Sequence, residues 1–343
     1  FVAAPILRVE TGMHTGFVDS IATDAANRFL VSGGKDKAVR VWSLPDFELL
    51  NVLRPPIGDG PEGFIDALAV APDGSQIAVG GTFCQYEKSH CVFVFERASG
   101  RIVKRLTGFA RPVRKLAWSP DGAVVAAGMA GKAGLRLMRV ADWSELAHDT
   151  DYSDFVTALS FGAGGRLAAA SWDGKIRVYS YDANGLVLKR AKLAAELNHT
   201  FNRNAQNRGR PVTVAFSPDG SKLAVGHQSG SNWAIVLAPD SLDTLYVASS
   251  VGLSNHLGGF GVRKMAWSPD GNTLYGGVIS IHRQQHFVRI WGDGGRATPT
   301  DAPVPGINSV MDVLTLRDGG VAYATGTTVG LFDSRGNRLR VAD

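Results

Sequence analysis

The sequence predicts an all-β fold, a seven-bladed β-propeller of four-stranded antiparallel blades. The chain holds 41 glycines among 343 residues, and many glycines without a collagen repeat indicate many tight turns between short strands. One hairpin motif recurs along the whole chain, and strand-like segments follow each copy. Four strands repeated about seven times leave little room for helix.

The recurring hairpin motif has the form Ala-x-x-Pro-Asp-Gly between two apolar segments. Proline presets φ for the turn, aspartate bonds nearby amides, and glycine accepts the left-handed backbone position. The clear copies are Ala69–Gly74, Ala117–Gly122, Ala215–Gly220 and Ala266–Gly271. Weaker copies lie at Asp24–Asn27, Ala163–Gly165 and Asp318–Gly320. The turns recur every 43 to 55 residues or so, near the spacing of about 40–50 expected for four-stranded blades.

Alternating β-branched and aromatic segments after each hairpin predict the third and fourth strands. Third-strand candidates include Ala38–Trp42, Val92–Phe95, Leu135–Met138, Ile176–Tyr179, Ile235–Leu237 and Val288–Trp291. The segment Ile6–Val9 resembles a fourth strand without its first three. We therefore expect residues 1–343 to form a single domain, with the N-terminal strand completing the last blade and closing the ring. Trp118 and Trp267 occupy equivalent repeat positions and are predicted to pack between blades.

Composition and charge narrow the class of partner. The net charge is +5 with a pI near 9.2, and Lys and Arg are scattered, as expected for solvated strand faces. This balance permits an acidic partner, whereas nucleic acid is not expected because stacking and base-reading motifs are missing. The sequence contains no apolar run of about 18 residues, so no membrane span is expected. The chain begins at Phe1 rather than Met, which indicates processing and leaves the compartment open between cytoplasm and export.

The third-strand motifs carry a family resemblance. Lys37–Trp42 and Ser171–Tyr179 resemble the end of a WD repeat, with Asp36 and Asp173 at the position of the family's turn acid. The resemblance covers essentially the whole chain and implies a propeller that binds partners around its channel mouth. The Gly-His pair of the family is mostly missing, and Gly12–His14 is its nearest form. The family's His–Asp hydrogen-bond network is therefore expected in few blades.

A narrower resemblance points to a larger protein. Ile6–Thr15, Leu53–Gly58 and Asp173–Arg177 look like the propeller of bacterial proteins that carry a caspase-like peptidase domain on the same polypeptide. That resemblance implies that this chain is the sensing or docking part, with no peptidase of its own.

Catalytic and cofactor motifs are not found in the sequence. Gly226–Gly230 lacks the spacing of a serine nucleophile elbow, and no glycine-rich loop precedes a helix as phosphate binding requires. Cys84, His90 and Cys91 lie in one loop of the second blade. They are interpreted as loop residues, as a disulfide closing a short loop, or as metal ligands, although a zinc site needs about four ligands. No cofactor is expected.

The irregular segments between blades, and between second and third strands, are predicted to emerge on one face, here called the loop face. Arg and aromatic residues dominate interface energetics, so we expect a protein or peptide partner there, with an acidic one as the specific hypothesis, and a monomeric domain. The predicted binding residues are Arg203, Arg208, Arg210, His256, Phe260, His282, Arg283 and Phe287. Two alternatives stay open: an enzyme with its site at the central channel mouth, favoured by perturbed carboxylates there, and a structural spacer, favoured by a smooth, uncharged loop face.

Overall fold

The computed structural model is a ring of seven four-stranded antiparallel sheets. It describes residues 12–87, 89–182, 184–197, 210–228, 234–251, 261–279, 286–305 and 309–342. In each blade the four strands follow one another in chain order, so every connection within a blade is a hairpin. The expected fold class is confirmed.

The strands of blades 1 to 4 have these bounds. Blade 1 contains β1 (Val18–Thr23), β2 (Phe29–Gly34), β3 (Val39–Ser43) and β4 (Leu49–Leu53). Blade 2 contains β5 (Ile65–Val70), β6 (Gln76–Gly81), β7 (His90–Glu96) and β8 (Ile102–Phe109). Blade 3 contains β9 (Val113–Trp118), β10 (Val124–Met129), β11 (Leu135–Arg139) and β12 (Glu145–Asp149). Blade 4 contains β13 (Val156–Gly162), β14 (Arg166–Ser171), β15 (Lys175–Asp182) and β16 (Gly185–Leu193).

The remaining strands complete the ring. Blade 5 contains β17 (Pro211–Phe216), β18 (Leu223–His227), β19 (Ala234–Leu237) and β20 (Thr244–Val247). Blade 6 contains β21 (Gly261–Trp267), β22 (Leu274–Ile279), β23 (His286–Trp291) and β24 (Thr300–Val304). Blade 7 contains β25 (Val310–Thr315), β26 (Val321–Thr325), β27 (Thr328–Phe332) and β28 (Arg338–Ala342). The helical turns of the described chain are short: α1 (Ala194–Leu197) and the 3₁₀ turns Gly131–Ala133 and Asp293–Gly295.

The Pro-Asp-Gly turns form as the motif predicts. Asp219 Oδ1 accepts hydrogen bonds from the Ser217 hydroxyl (2.6 Å) and from the Ser221 amide (3.0 Å). Gly220 takes the left-handed conformation with φ of 70°, which glycine adopts without steric cost. Both features fix the register in which the two strands joined by each turn pair with each other.

The hydrophobic core lies in the seams between adjacent blades. Val214 and Phe216 of blade 5, for example, pack against Ala168 and Val178 of blade 4. Trp267 is buried in the next seam, and its indole N–H donates to the Ala215 carbonyl of the preceding blade (3.0 Å), which confirms its predicted position. Trp118 packs against its seam but is only half-buried, and its N–H donates to Gly122 within its own blade.

Ring closure differs from the expectation in one respect. The outer strand of blade 7, predicted to come from the N-terminal segment, is β28, because the turn at Asp333 returns the chain into an antiparallel pairing with β27. The N-terminal segment lies outside the described residues. Blades 1 and 7 meet through the Val18 amide and the Gly326 carbonyl (2.7 Å) and through a shared apolar cluster that includes Trp42 and Leu331.

Blade 1 contains a complete buried hydrogen-bond network. His14 Nδ1 donates to Asp36 Oδ2 (2.9 Å), and His14 Nε2 bonds the hydroxyl of Ser32 (2.7 Å). The indole N–H of Trp42 donates to the same hydroxyl (2.8 Å). Arg40 Nη1 adds an ion pair to Asp36 Oδ2 at 2.6 Å. Burial raises the pKa of Asp36, but the hydrogen bonds and charges of His14 and Arg40 outweigh it and hold the pKa below its ordinary value.

Arginines at the same third-strand position recur in other blades. Arg177 pairs with Asp173 at 2.7 Å, and both side chains are about 1% exposed. Arg289 is also buried and makes a two-point pair with Asp301 at 2.7 and 2.8 Å. These buried arginines are exceptions to the expectation that most Lys and Arg side chains lie on solvated strand faces. They neutralise carboxylates within their own blades.

Candidate functional site

The first strand of every blade carries a bulge near its start. In blade 1, Val18 pairs with Gly34 and Ser20 with Gly33, so Asp19 has no partner in the ladder. The same register shift occurs in the other six blades. A bulge leaves one residue unpaired and re-aims its side chain. The seven unpaired residues, here called the bulge ring, are Asp19, Asp66, Arg114, Thr157, Val212, Arg263 and Met311.

The whole bulge ring lines one cavity of about 430 Å³. The cavity opens where the first strands begin, which is the end at which the predicted loop face emerges. Phe155, Trp172 and Gln228 form part of its wall. The loop face is therefore concave and charged at its centre, contrary to what a structural spacer predicts.

The next residue of each first strand forms a second ring, deeper in the channel. Its members are Ser20, Ala67, Lys115, Ala158, Thr213, Lys264 and Asp312, and they line a narrower cavity of about 60 Å³. Ser20, Thr213 and Asp312 each accept a hydrogen bond from a backbone amide of the next blade, at 3.2, 3.2 and 2.9 Å. This second ring therefore joins neighbouring blades as well as lining the channel.

Carboxylates on one side of the mouth are neutralised by cations. Lys35 Nζ lies 3.0 Å from Asp19 Oδ2 and 2.5 Å from Asp66 Oδ1, and Arg114 Nη1 lies 2.9 Å from the same Asp66 oxygen. Burial raises the pKa of Asp19 above its ordinary value despite the nearby Lys35. Burial lowers the pKa of Lys35, but the charges of Asp66 and Asp19 outweigh it and raise the pKa. Deeper in the channel, Lys264 pairs with Asp312 at 3.2 Å.

Two cations of the channel are not neutralised in this way. Lys115 and Arg263 line both cavities, and within the described ranges neither has a carboxylate within ion-pair distance. Burial and the charge of Lys264 lower the pKa of Lys115, and they outweigh the charges of Asp312, Asp19 and Asp66, which raise it. Burial also lowers the pKa of Arg263. The mouth therefore carries a surplus of positive charge on this side.

An aromatic corner forms the wall at blades 4 and 5. The rings of Phe155 and Trp172 lie 4.3 Å apart between centroids. The guanidinium of Arg210 lies 4.9 Å from the centre of the Trp172 ring, a cation–π distance, and the Arg210 carbonyl accepts the Gln228 amide at 3.1 Å. The corner combines a half-buried cation with apolar surface beside the cavity.

Arg210 and Phe287 are the described members of the predicted binding set. Arg210 lies beside the cavity, as the loop-face prediction requires. Phe287 is half-buried in β23 and packs against the core of blades 5 and 6, so its ring contributes mainly to blade packing. The other predicted binding residues lie outside the described residues and stay predictions: Arg203, Arg208, His256, Phe260, His282 and Arg283.

The loop of the second blade is closed by a disulfide between Cys84 and Cys91. The Glu62 carboxylate accepts the amides of Cys84 (2.6 Å) and Gln85 (3.1 Å), which ties this loop to the segment between blades 1 and 2. His90 Nδ1 lies 3.2 Å from the carbonyl of Phe83. Since the two sulfurs are bonded to each other, the metal-ligand interpretation of these residues is wrong. Elsewhere in the described chain, no group of three or more His, Cys, Asp or Glu side chains is placed to hold a metal.

The bulge-ring residues were not predicted from the sequence. The available signal is a charged residue directly after a β-branched one in several first strands, as in Val18-Asp19, Ile65-Asp66 and Val113-Arg114. Aligning the seven hairpins on their turns places these residues at one position, facing the channel.

Parts of the chain are similar to a known repeat family. Three segments match the family described as WD domain, G-beta repeat: residues 8–43, 100–133 and 144–180. These matches and the seven-bladed ring support the WD-repeat family.

Curated relatives match only parts of this chain. It is 27% identical over 180 residues to small ribosomal subunit protein RACK1y of Oryza sativa subsp. japonica, which is 50% of each chain. It is 31% identical over 67 residues to Protein HIR1 of Cryptococcus neoformans var. neoformans serotype D, which is 19% of this chain and 8% of that protein. Among the described residues, none of the helices has the length and apolar character needed to cross a membrane.

Proposed function

We propose that this WD-repeat propeller is a non-catalytic platform that binds a protein or peptide segment at its channel mouth. A WD40 propeller implies a protein-interaction scaffold, and the finer proposal concerns where and what it binds. The observation that carries it is the cavity of about 430 Å³ ringed by the seven bulge residues. Binding sites of this kind are concave and combine apolar walls with a few converging polar groups.

The proposed partner is acidic. Among the described residues, Lys115 and Arg263 have no carboxylate within ion-pair distance, and Arg210 lies over Trp172 at the rim. The planar guanidinium of arginine pairs with carboxylates in two-point fashion. Arg203 and Arg208, which precede Arg210 in the sequence, are proposed to extend this basic rim.

A random peptide library displayed on phage tests the proposed function. Selection on the immobilised protein should enrich acidic peptides. Trp172→Ala and Arg210→Ala should each weaken binding of the selected peptides about tenfold or more, as expected for aromatic and arginine interface positions. Binding should also weaken as salt rises, because exposed charges are screened.

The matched control for this test is Arg317→Ala. Arg317 is exposed and follows β25, at the opposite end of the ring from the mouth, so its removal should leave peptide binding unchanged. Melting curves verify that each variant is folded. If the selected peptides bind Trp172→Ala and Arg210→Ala as tightly as the unsubstituted protein, the channel mouth is not the binding surface.

The larger architecture is a separate proposal. Resemblance to propellers of bacterial proteins with a caspase-like peptidase domain suggests that this chain is a docking module beside a peptidase. That proposal stands on the resemblance alone, and the matched plant and fungal relatives add no support for it. The full reading frame tests it: a caspase-like domain on either side supports it, and a frame with none overturns it.

A catalytic site at the mouth is the second candidate function. The observation that favours it is the raised pKa of Asp19, since perturbed carboxylates occur often in active sites. The Asp19–Lys35 ion pair at 3.0 Å gives this carboxylate a structural role as well. Hydrolysis of a peptide and ester substrate panel that is abolished by Asp19→Asn would favour catalysis, whereas no turnover above the variant would exclude it for those substrates.

A further inference from the structure

Polar groups without partners mark one region of the channel. Within the part of the chain that the structure describes, Asp66 Oδ2 and Gln228 Oε1 are buried and have no hydrogen-bond partner. Both residues line the cavity that Lys115 and Arg263 also line. A buried acceptor without a donor is costly, about 1–3 kcal/mol, so such groups are usually satisfied by a ligand or by water.

The number of positive and negative side chains at the mouth also points to a missing ligand. Asp19, Asp66 and Asp312 each pair with Lys35, Arg114 or Lys264, and these pairs use all three carboxylates. Lys115 and Arg263 remain, so that the two rings and Lys35 together hold two more cations than carboxylates. The other polar members of the second ring bond to neighbouring blades or, in Lys264, to Asp312. Among the polar members of the second ring, Lys115 thus differs in having neither such a hydrogen bond nor an ion pair within the described chain.

We propose that Lys115 and Arg263 form a carboxylate subsite within the channel, which takes one acidic side chain of the bound peptide. Backbone N–H groups of that peptide donate to Asp66 Oδ2 and Gln228 Oε1. This inference rests on the proposed function and specifies which part of the partner enters the channel.

The site offers donors on Lys115 and Arg263 and acceptors on Asp66 and Gln228, so a matching ligand needs both acceptors and donors. A fully ionised phosphate offers only acceptors, so it satisfies Lys115 and Arg263 but leaves Asp66 and Gln228 without donors. A peptide with Asp or Glu carries both the carboxylate and amide donors. The negative charge of Asp66 is offset by Lys35 and Arg114 at 2.5 and 2.9 Å, which permits a second carboxylate nearby.

The deeper cavity limits how far the ligand enters. The second ring encloses only about 60 Å³, compared with about 430 Å³ at the mouth. One extended side chain fits such a funnel, whereas a folded segment does not. The subsite therefore reads a single carboxylate at the tip of the bound segment, and the aromatic corner of Phe155 and Trp172 contacts the residues around it.

The stability of the free protein supplies an independent signature. Burial and the charge of Lys264 lower the pKa of Lys115, which means that the charged form is disfavoured in the absence of a ligand. Removing this charge should therefore leave the melting temperature unchanged or raise it, while it removes binding. A lysine with a purely structural role gives the opposite result, a lower melting temperature.

The test uses a fluorescent hexaglutamate peptide with blocked ends and a hexaglutamine peptide of the same design. Hexaglutamate should bind in fluorescence anisotropy and hexaglutamine should not. Lys115→Gln and Arg263→Gln should each weaken binding by about 10- to 100-fold, the loss typical of a charged hydrogen-bond partner. Lys104→Gln makes the same change of charge on the exposed outer strand β8 and should have little effect.

Two further measurements keep the outcomes separate. Nuclear magnetic resonance of the Lys115 side chain should show its pKa rise when hexaglutamate is added, which does not depend on a variant folding. Inorganic phosphate serves as the second probe: if it binds in a Lys115-dependent manner and hexaglutamate does not, the site takes a small phosphate anion and the proposal is overturned. Equal loss of hexaglutamate binding in Lys104→Gln would also overturn it, since only net charge would then matter.

The outcome is distinguishable from failure of the proposed function. Library peptides that need Trp172 but tolerate Lys115→Gln and Arg263→Gln would leave the platform intact and refute the carboxylate subsite. A library that yields no peptide for the unsubstituted protein would count against the proposed function itself.

Discussion

Ser32→Ala tests the energetic weight of the buried network in blade 1. Ser32 is fully buried, and its hydroxyl lies between the indole N–H of Trp42 and Nε2 of His14 at 2.8 and 2.7 Å. Asp36 accepts the proton of His14 Nδ1, and Nε2 of the same ring bonds the Ser32 hydroxyl. A single methyl group in place of the hydroxymethyl group thus leaves two buried polar atoms without partners.

The magnitude follows from the cost of those two atoms. Each unsatisfied buried group costs about 1–3 kcal/mol, so we expect a loss of about 2–6 kcal/mol in the free energy of unfolding. The unfolding entropy of globular proteins scales with length. For 343 residues the expected fall in melting temperature is about 3–8 °C.

Chemical denaturation and differential scanning calorimetry provide the measurement. A double-mutant cycle with Trp42→Phe, which removes the other end of one hydrogen bond, should show a coupling of at least about 0.5 kcal/mol. Ser99→Ala is the matched control, because Ser99 is exposed. Its hydroxyl bonds the surface carboxylate of Glu96 and the backbone amide and side chain of Arg101. A Ser32→Ala variant within about 0.5 kcal/mol of the original protein would refute the reasoning.

Three further predictions concern seams, turns and the disulfide loop. Trp267→Ala should cost about 3–5 kcal/mol as a large-to-small core change and Trp118→Ala clearly less, since it is half-buried; equal losses in urea denaturation would contradict the seam assignment. Hydrogen bonds from Ser217 and Ser221 lower the pKa of Asp219 below its ordinary 3.8. The ionised Asp219 therefore stabilises the fold above that pH, and this stabilisation is lost as the pH falls. Asp219→Asn should thus reduce the fall of the melting temperature in acid. An unchanged fall of the melting temperature in acid would contradict this prediction. Reduction of Cys84–Cys91, followed by limited proteolysis, should expose a new cleavage site in this loop, and identical digests with and without reductant would show that Glu62 alone holds it.

The turns and strand patterns were sufficient to predict the architecture. Pro-Asp-Gly turns specify hairpins locally, so Asp73, Asp121, Asp219 and Asp270 indicated the register before any long-range contact was known. The outer strand of blade 7 was predicted incorrectly because outer strands are exposed and carry a weak alternating pattern. Arg338–Ala342, with mostly exposed side chains, therefore resembled a loose tail.

The site was only partly predictable for a different physical reason. The loop face followed from chain direction in a four-stranded blade, and Arg210 lies there. The channel residues belong to regular strands, and their role arises from bulges that appear only when the two strands of a pair are compared residue by residue. Lys115 and Arg263 come from blades 3 and 6, so only the closed ring brings their positive charges into one cavity.

On the proposed function, the bulge ring separates the residues that contact the partner from those that hold the blades together. A bulge residue has no place in its ladder, so its replacement by another side chain removes no paired strand contact. The neighbouring valine or isoleucine in six of the blades, such as Val18, Ile65 and Val113, is fully buried and fixed by packing. Each blade thus places one residue outside its strand ladder, and seven such residues surround a single opening. Under the proposed function, a substitution at one of these positions changes the surface offered to the partner and leaves the strand pairing of that blade unaltered.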